Sequence, residues 1–141
     1  MLYMLDTDIC SYIQRQHPIA VLETMQAKSE AGHVLCISVI TYAELRLGAA
    51  RSNNKHKYDL LISEFCKRLD SIQSWDSSAA DHFAELQSML LSKGTPIGVN
   101  DGMIAAHALS IEATLVTNNQ KHFSKVPDLK LNNWVNPTNE H

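Results

Sequence analysis

The chain has 141 residues, 45% of them apolar and 19% charged, with a formal net charge of −3. That length fits a single compact domain over residues 1–141. The composition excludes a disordered chain, and the net acidity excludes a protein that coats nucleic acid through bulk charge. No apolar stretch is long enough to span a bilayer and no signal peptide is evident, so a cytoplasmic protein without membrane association is expected.

The predicted elements alternate along the chain. Residues 2–6 read as a short strand that is apolar on both faces and therefore buried. A helix over 9–15 stops before His17-Pro18, and a second over 19–31 ends near Gly32. Residues 34–38 are another buried strand. A helix over 40–49 ends at Gly48 or just beyond. Tyr58, Leu61, Ile62, Phe65 and Leu69 recur at helical spacing and mark an amphipathic helix over 57–68. Residues 69–75 suit a third strand. Asp76 or Ser77 caps the next helix, whose stripe is Ala79, Phe83, Leu86 and Leu90 and which ends at Gly94. Residues 94–98 are a loop, 101–111 a helix, 113–117 a strand and 129–133 a weak last strand. This order predicts an α/β fold with a mostly parallel central sheet of about five strands flanked by helices. Ligands of such sheets gather at the carboxyl ends of the strands.

Four polar residues sit where that architecture would need them for chemistry. Asp6 ends the first strand, although an Asp after a strand is more often a turn or cap residue. Glu44 interrupts a helical stripe formed with Ile40, Ala43 and Leu47; the ordinary alternative is an edge position from which Glu reaches water. Asp101 shares a helix face with Ile104, Ala105 and Ala108, and an acid in a first turn also suits the helix dipole, with Asn100 as a plausible cap. Asn119 lies two residues beyond Thr117, where an Asn is ordinarily a turn former. Asp8 reads as the cap of the helix that starts at Ile9. Thr41, one turn before Glu44, is placed to orient its carboxylate. Thr117 either bonds an acid of the cluster or simply finishes its strand, and Ser38 is similarly placed at the end of the second strand.

Taken together, three acids and an amide come from separate strand ends and helix starts of one sheet. A carboxylate in such a place is costly unless a cation or strong donors offset it. Oxygen ligands select hard cations such as Mg2+ and Mn2+, which polarise a phosphodiester and activate water. Arg46, Arg51, Lys55, His56 and Lys57 fall within a stretch that contains no acid, and form a basic patch or simply a solvated helix end. Rival chemistries find little support. The chain has no G-x-x-x-x-G-K phosphate loop, no G-x-S-x-G elbow and no H-x-x-x-H pair. Its three cysteines lack C-x-x-C spacing, and His107, Trp75 and Trp134 read as packing residues.

In these segments the chain resembles the PIN-domain ribonucleases, and among them the VapC-type toxins of bacterial toxin–antitoxin pairs. The resemblance runs through Met4-Leu5-Asp6-Thr7-Asp8, then residues 38–45 with Gly48, then 93–101 with Ile104-Ala105-Ala106-His107-Ala108, then Leu115-Val116-Thr117-Asn118-Asn119 with Phe123 and Trp134. It implies a Mg2+- or Mn2+-dependent endoribonuclease that cuts structured cellular RNA, often tRNA, and stops translation. Asp6, Glu44 and Asp101 would be the metal-binding catalytic acids and Asn119 the fourth position, with Thr7, Asp8, Ser38, Thr41 and Thr117 in support. Arg46, Arg51, Lys55 and Lys57 would guide the RNA backbone, and the product would carry a 5′-phosphate. The resemblance further implies a homodimer, silenced by a VapB-type antitoxin peptide and reaching operator DNA only through that antitoxin. Two departures stand out: Asp8 replaces the family's common Asn or Ser, and Asn119 lacks an acid's charge. The rival expectations are a metal-dependent DNA nuclease or phosphatase on the same scaffold, and a non-catalytic interaction module.

Overall fold

A computed structural model of the chain describes residues 1–135. Five strands are found among them: β1 (Leu2–Leu5), β2 (Val34–Ser38), β3 (Ser71–Gln73), β4 (Thr114–Val116) and β5 (Leu131–Asn132). They form one sheet in the order β3-β2-β1-β4-β5, and every adjacent pair is parallel. The helices are α1 (Thr7–Arg15), α2 (Ile19–Glu30), α3 (Val39–Arg51), α4 (Lys55–Cys66), α5 (Ser77–Ser92), α6 (Val99–Ser110) and α7 (Gln120–Phe123). None is long and apolar enough to cross a membrane.

The strands are short and apolar because both faces of the sheet are covered. Side chains alternate between two cores. Tyr3, Leu5, Leu35, Ile37 and Val116 join Ile9, Ile13, Met25, Leu45, Ile62, Phe65 and Trp134 on the side of α1–α4. Met4, Cys36 and Leu115 join Leu86, Leu90, Ile104, Ala105, Ala108 and Phe123 on the side of α5–α7. The same alternation gives Asp6, Ser38 and Thr117, each at the carboxyl end of its strand, the parity of the second core. The strand order departs from sequence order at β1, whose neighbours are β2 and β4. A crevice at such a switch point is where open α/β sheets place ligands.

Several predicted boundaries shift for identifiable reasons. Helix α3 runs through Gly48 to Arg51 and is capped at its start by Ser38, whose Oγ accepts from the Ile40 amide at 3.0 Å. Helix α1 is capped by Asp6, not Asp8: Oδ1 of Asp6 accepts from the Ile9 amide at 3.0 Å, and Asp8 lies exposed in the first turn. Asn100 is no cap either, because α6 starts at Val99 behind Gly98 and uses no side-chain cap. Beyond β4, the segment after Asn119 forms the short helix α7, which the apolar pattern does not announce.

Helix α3 also turns differently from expectation. Its buried residues are Thr41, Leu45 and Ala49, whereas Ala43 is exposed and Leu47 is 59% exposed. Glu44 therefore does not sit in a buried apolar stripe. It stands at the edge of the core-facing side, half-buried.

Candidate active site

Asp6 is the fixed point of the site. It follows the central strand, its amide donates to Val116 O at 3.0 Å, and the residue is only 5% exposed. Burial pushes its carboxyl up to about 7 from an ordinary value of 3.8, and the charges of Asp8 and Asp101 push in the same direction. Hydrogen bonds from the Thr117 hydroxyl and the Ile9 amide oppose the shift without cancelling it. Thr117, fully buried, therefore does more than finish a strand: its Oγ1 also accepts from the Asn119 amide at 2.9 Å, which ties the loop after β4 to Asp6.

The other two acids arrive from opposite sides of the sheet. Glu44 comes from α3, and its Oε1 accepts from the Thr7 hydroxyl at 2.9 Å. Thr41 was expected to orient Glu44 directly. It acts one step removed, with its hydroxyl 3.4 Å from that of Thr7. Asp101, in the first turn of α6, is met by His122 of α7, Nε2 to Oδ2 at 3.2 Å. Sequence reasoning missed His122. It sits three residues after Asn119, and recognising α7 would have brought it to the same helical turn.

Asn119 itself is exposed and makes no side-chain cap on α7. Ser38 stays out of the acid group: its Oγ lies 2.8 Å from Nδ1 of the buried His107. That Oγ also accepts from the Ile40 amide and keeps both a proton and a second lone pair, so it pairs with Nδ1 in either tautomer of the ring.

Among the described residues, no three acidic, histidine or cysteine side chains converge closely enough to form a finished metal cage. Asp8 and Asp101 are each near enough to act on the charge of Asp6, while Glu44 and Asp101 each have a neighbour of their own. The donor set is rich in carboxylate oxygen, burial raises the pKa of its innermost member, and this chemistry fits a hard divalent cation.

Next to these acids runs an open groove of about 610 Å³ between α1, α3 and α4. Asp8, Glu44 and Arg15 line it together with Leu45, Tyr58 and Leu61. Asp6 and Asp101 do not line this groove, so the site and the groove adjoin at Glu44 and Asp8 rather than coincide.

The basic patch divides in two. Arg46 pairs with Asp59 at 3.0 Å and also bonds Tyr42 Oη at 2.9 Å. Lys55 contacts the other oxygen of Asp59 at 2.5 Å. Asp59, just beyond the acid-free stretch, thus engages two of the four predicted RNA-guiding residues. Arg51 and Lys57 remain exposed.

A PIN domain family model matches residues 3–129. Ribonuclease VapC2 of Rickettsia felis is 38% identical over 134 residues, which cover 95% of this chain and 98% of that protein. The tRNA(fMet)-specific endonuclease VapC of Salmonella typhimurium is 33% identical over 132 residues, covering 94% and 97%. Among solved structures, VapBC2 from Rickettsia felis bound to a DNA fragment from their promoter matches with a TM-score of 0.89 at 37% identity, over 95% of this chain and 99% of that one. VapBC-1 from nontypeable Haemophilus influenzae matches with a TM-score of 0.83 at 34% identity, over 95% and 98%.

Proposed function

From the fact that the chain belongs to the PIN-domain family, we infer that it is a VapC-type ribonuclease, the toxin of a toxin–antitoxin pair, with residues 1–141 as one nuclease domain. The observation that carries the reading is the placement of Asp6: a nearly buried acid at the carboxyl end of the central strand, pressed by the charges of two further acids.

PIN-domain nucleases generally use divalent metals. In this chain Asp6, Glu44 and Asp101 would hold Mg2+ or Mn2+, with Asn119 at the open side of the site. When bound, the ion supplies positive charge for the phosphodiester oxygens and lowers the pKa of a water molecule. The protein's own residues do the rest. Thr117 and the Ile9 amide fix the Asp6 carboxyl, and Thr7 fixes that of Glu44. Arg51 and Lys57 meet the RNA backbone; of the other predicted guides, Arg46 ties α3 to α4 through Asp59, and Lys55 pairs with the same Asp59 within α4.

The α1–α3–α4 groove is the seat for an antitoxin segment of the VapB kind, which would run past Glu44 and Asp8 and so obstruct the acids. The relatives in VapBC complexes support that partner, and the DNA in one of them supports contact with operator DNA through the antitoxin. The relative named for tRNA(fMet) supports structured RNA as the substrate class.

The test is RNA cleavage by the unsubstituted chain and by Asp6→Asn. The substitution keeps an oxygen for the Ile9 cap but removes the charge, so cleavage is expected to fall to background while the circular-dichroism spectrum is retained. Chelation with EDTA should stop the unsubstituted chain and Mn2+ should restore it, with cut ends carrying 5′-phosphate. Full activity in EDTA or in Asp6→Asn would refute the metal reading, and preferential cleavage of DNA would refute the substrate.

A further inference from the structure

We propose that His122 is a positioning residue for Asp101: through Nε2 it fixes one carboxylate oxygen and leaves the other aimed for a divalent ion. The inference rests on the metal-dependent reading above and adds to it a member of the site drawn from α7.

The geometry separates His122 from an ordinary surface pair. Asp101 is far more open than Asp6, with a side chain 44% exposed. Left alone, such a carboxylate samples several rotamers, and ordering it upon binding costs free energy. His122 is less exposed, at 26%, and its place is set by its neighbour. Phe123, 2% exposed, is buried in the α5–α7 core, and the His122 ring packs edge-on against it at 5.4 Å between centroids. The imidazole is therefore carried on an anchored turn. Its Nε2 lies 3.2 Å from Oδ2 of Asp101. Thr7 stands in the corresponding place for Glu44 and Thr117 for Asp6, so each acid has its own partner from a different element.

An exposed ion pair adds little to stability, and stability is not what His122 is assigned here. Donors behind a metal-binding carboxylate act on metal affinity, where their loss costs about ten- to a hundredfold. The residue that sequence spacing offered for the fourth position, Asn119, shows no such link to Asp101, although its backbone amide fixes the start of the turn that delivers His122.

The experiment is Mn2+ titration of the full chain, followed by the electron paramagnetic resonance of the free ion, for the unsubstituted protein and for His122→Phe, His122→Gln and Asp101→Asn. His122→Phe should weaken Mn2+ about ten- to a hundredfold with an unchanged melting temperature in the absence of metal. His122→Gln keeps an N–H donor of similar reach and should stay close to the unsubstituted affinity. Asp101→Asn should bind most weakly of all. Unaltered binding by His122→Phe, or a His122→Gln as weak as His122→Phe, overturns the role of His122 and leaves the metal reading standing. Tighter binding by His122→Phe also overturns it, since His122 would then be competing for Asp101. An unsubstituted chain that binds no Mn2+, or one that loses nothing in Asp101→Asn, overturns both.

Discussion

The two layers that cover the sheet are built to different tolerances. On one side α5 packs closely along α6, and a Cβ added at Gly102 would come within 2.6 Å of Gln87 Nε2. On the other side α1, α3 and α4 splay apart around an open groove of about 610 Å³. Asp101 belongs to the closed layer, Glu44 lines the open one, and Asp6 follows the strand between them. One acid is thus supplied by a rigid support and another from the wall of a cleft that can receive a partner. A site that must be both ordered and reachable is placed along that seam.

Truncation at matched residues tests the contrast most strongly. Leu90 is fully buried in the closed layer, and Leu90→Ala should cost about 2–5 kcal/mol, because close neighbours cannot refill the cavity. Leu61 lines the groove and is half-buried, so Leu61→Ala should cost about 1 kcal/mol or less. Urea unfolding measures both, and equal losses would mean that the layers do not differ in packing.

A polar tie runs through the closed layer as well. Ser38 of β2 and His107 of α6 are both buried and meet at 2.8 Å, linking the start of α3, which carries Glu44, to the helix that carries Asp101. Ser38→Ala leaves the ring Nδ1 without its partner and should cost about 1–3 kcal/mol. Ser38→Thr, which keeps the hydroxyl, should recover part of it. An unchanged urea midpoint in Ser38→Ala would show that the tie is dispensable.

Gly102→Ala sharpens the comparison further. The added methyl meets the far end of a flexible side chain, so Gln87 can move, at the expense of its 3.5 Å contact with Ile97 O. Overpacking of about 1–3 kcal/mol is then set against about 1 kcal/mol gained from helix propensity, which leaves a net loss of about 1 kcal/mol. The double variant Gly102→Ala with Gln87→Ala should regain stability over Gly102→Ala alone. A strictly additive pair would place the close approach elsewhere.

How far the sequence foretold this contrast depends on the range of the interaction. Parallel order and both cores follow from short apolar strands alternating with helical stripes, because that signal is carried by consecutive residues. Asp6, Glu44 and Asp101 were proposed from their motifs; Asp6 and Asp101 also follow from position, one at a strand end and the other in a helix start. Glu44 was singled out for a partly mistaken reason: Ile40, Ala43 and Leu47 gave a plausible stripe, yet the core takes Thr41, Leu45 and Ala49. The two faces differ by a fraction of a helical turn, and only the packing of α3 against α4 and the sheet decides between them. The pairing of Arg46 with Asp59 spans two helices and was not legible, whereas that of Lys55 with Asp59 is one helical turn and could have been read. His122 was lost because a helix as short as α7 shows no periodicity. Contacts between distant segments leave no local trace.

The smallest expected effect concerns pH. His107 is 1% exposed, and burial holds its pKa below the ordinary 6.5 against the pull of Asp76 and the Ser74 backbone, the groups that face it together with Ser38. The folded protein therefore keeps the ring neutral at a pH where the unfolded chain takes up a proton. With more protons bound in the unfolded state, stability rises with pH through this window and falls as pH drops below about 6.5. His107→Gln removes the titration while keeping a side chain that can accept from Ser38. Its unfolding free energy should be lower than that of the unsubstituted chain above neutrality, and the gap should narrow on acidification. A gap that stays constant from neutral to mildly acid pH would mean that His107 is protonated equally in both states, and the closed layer would then be wetter around α6 than its packing shows.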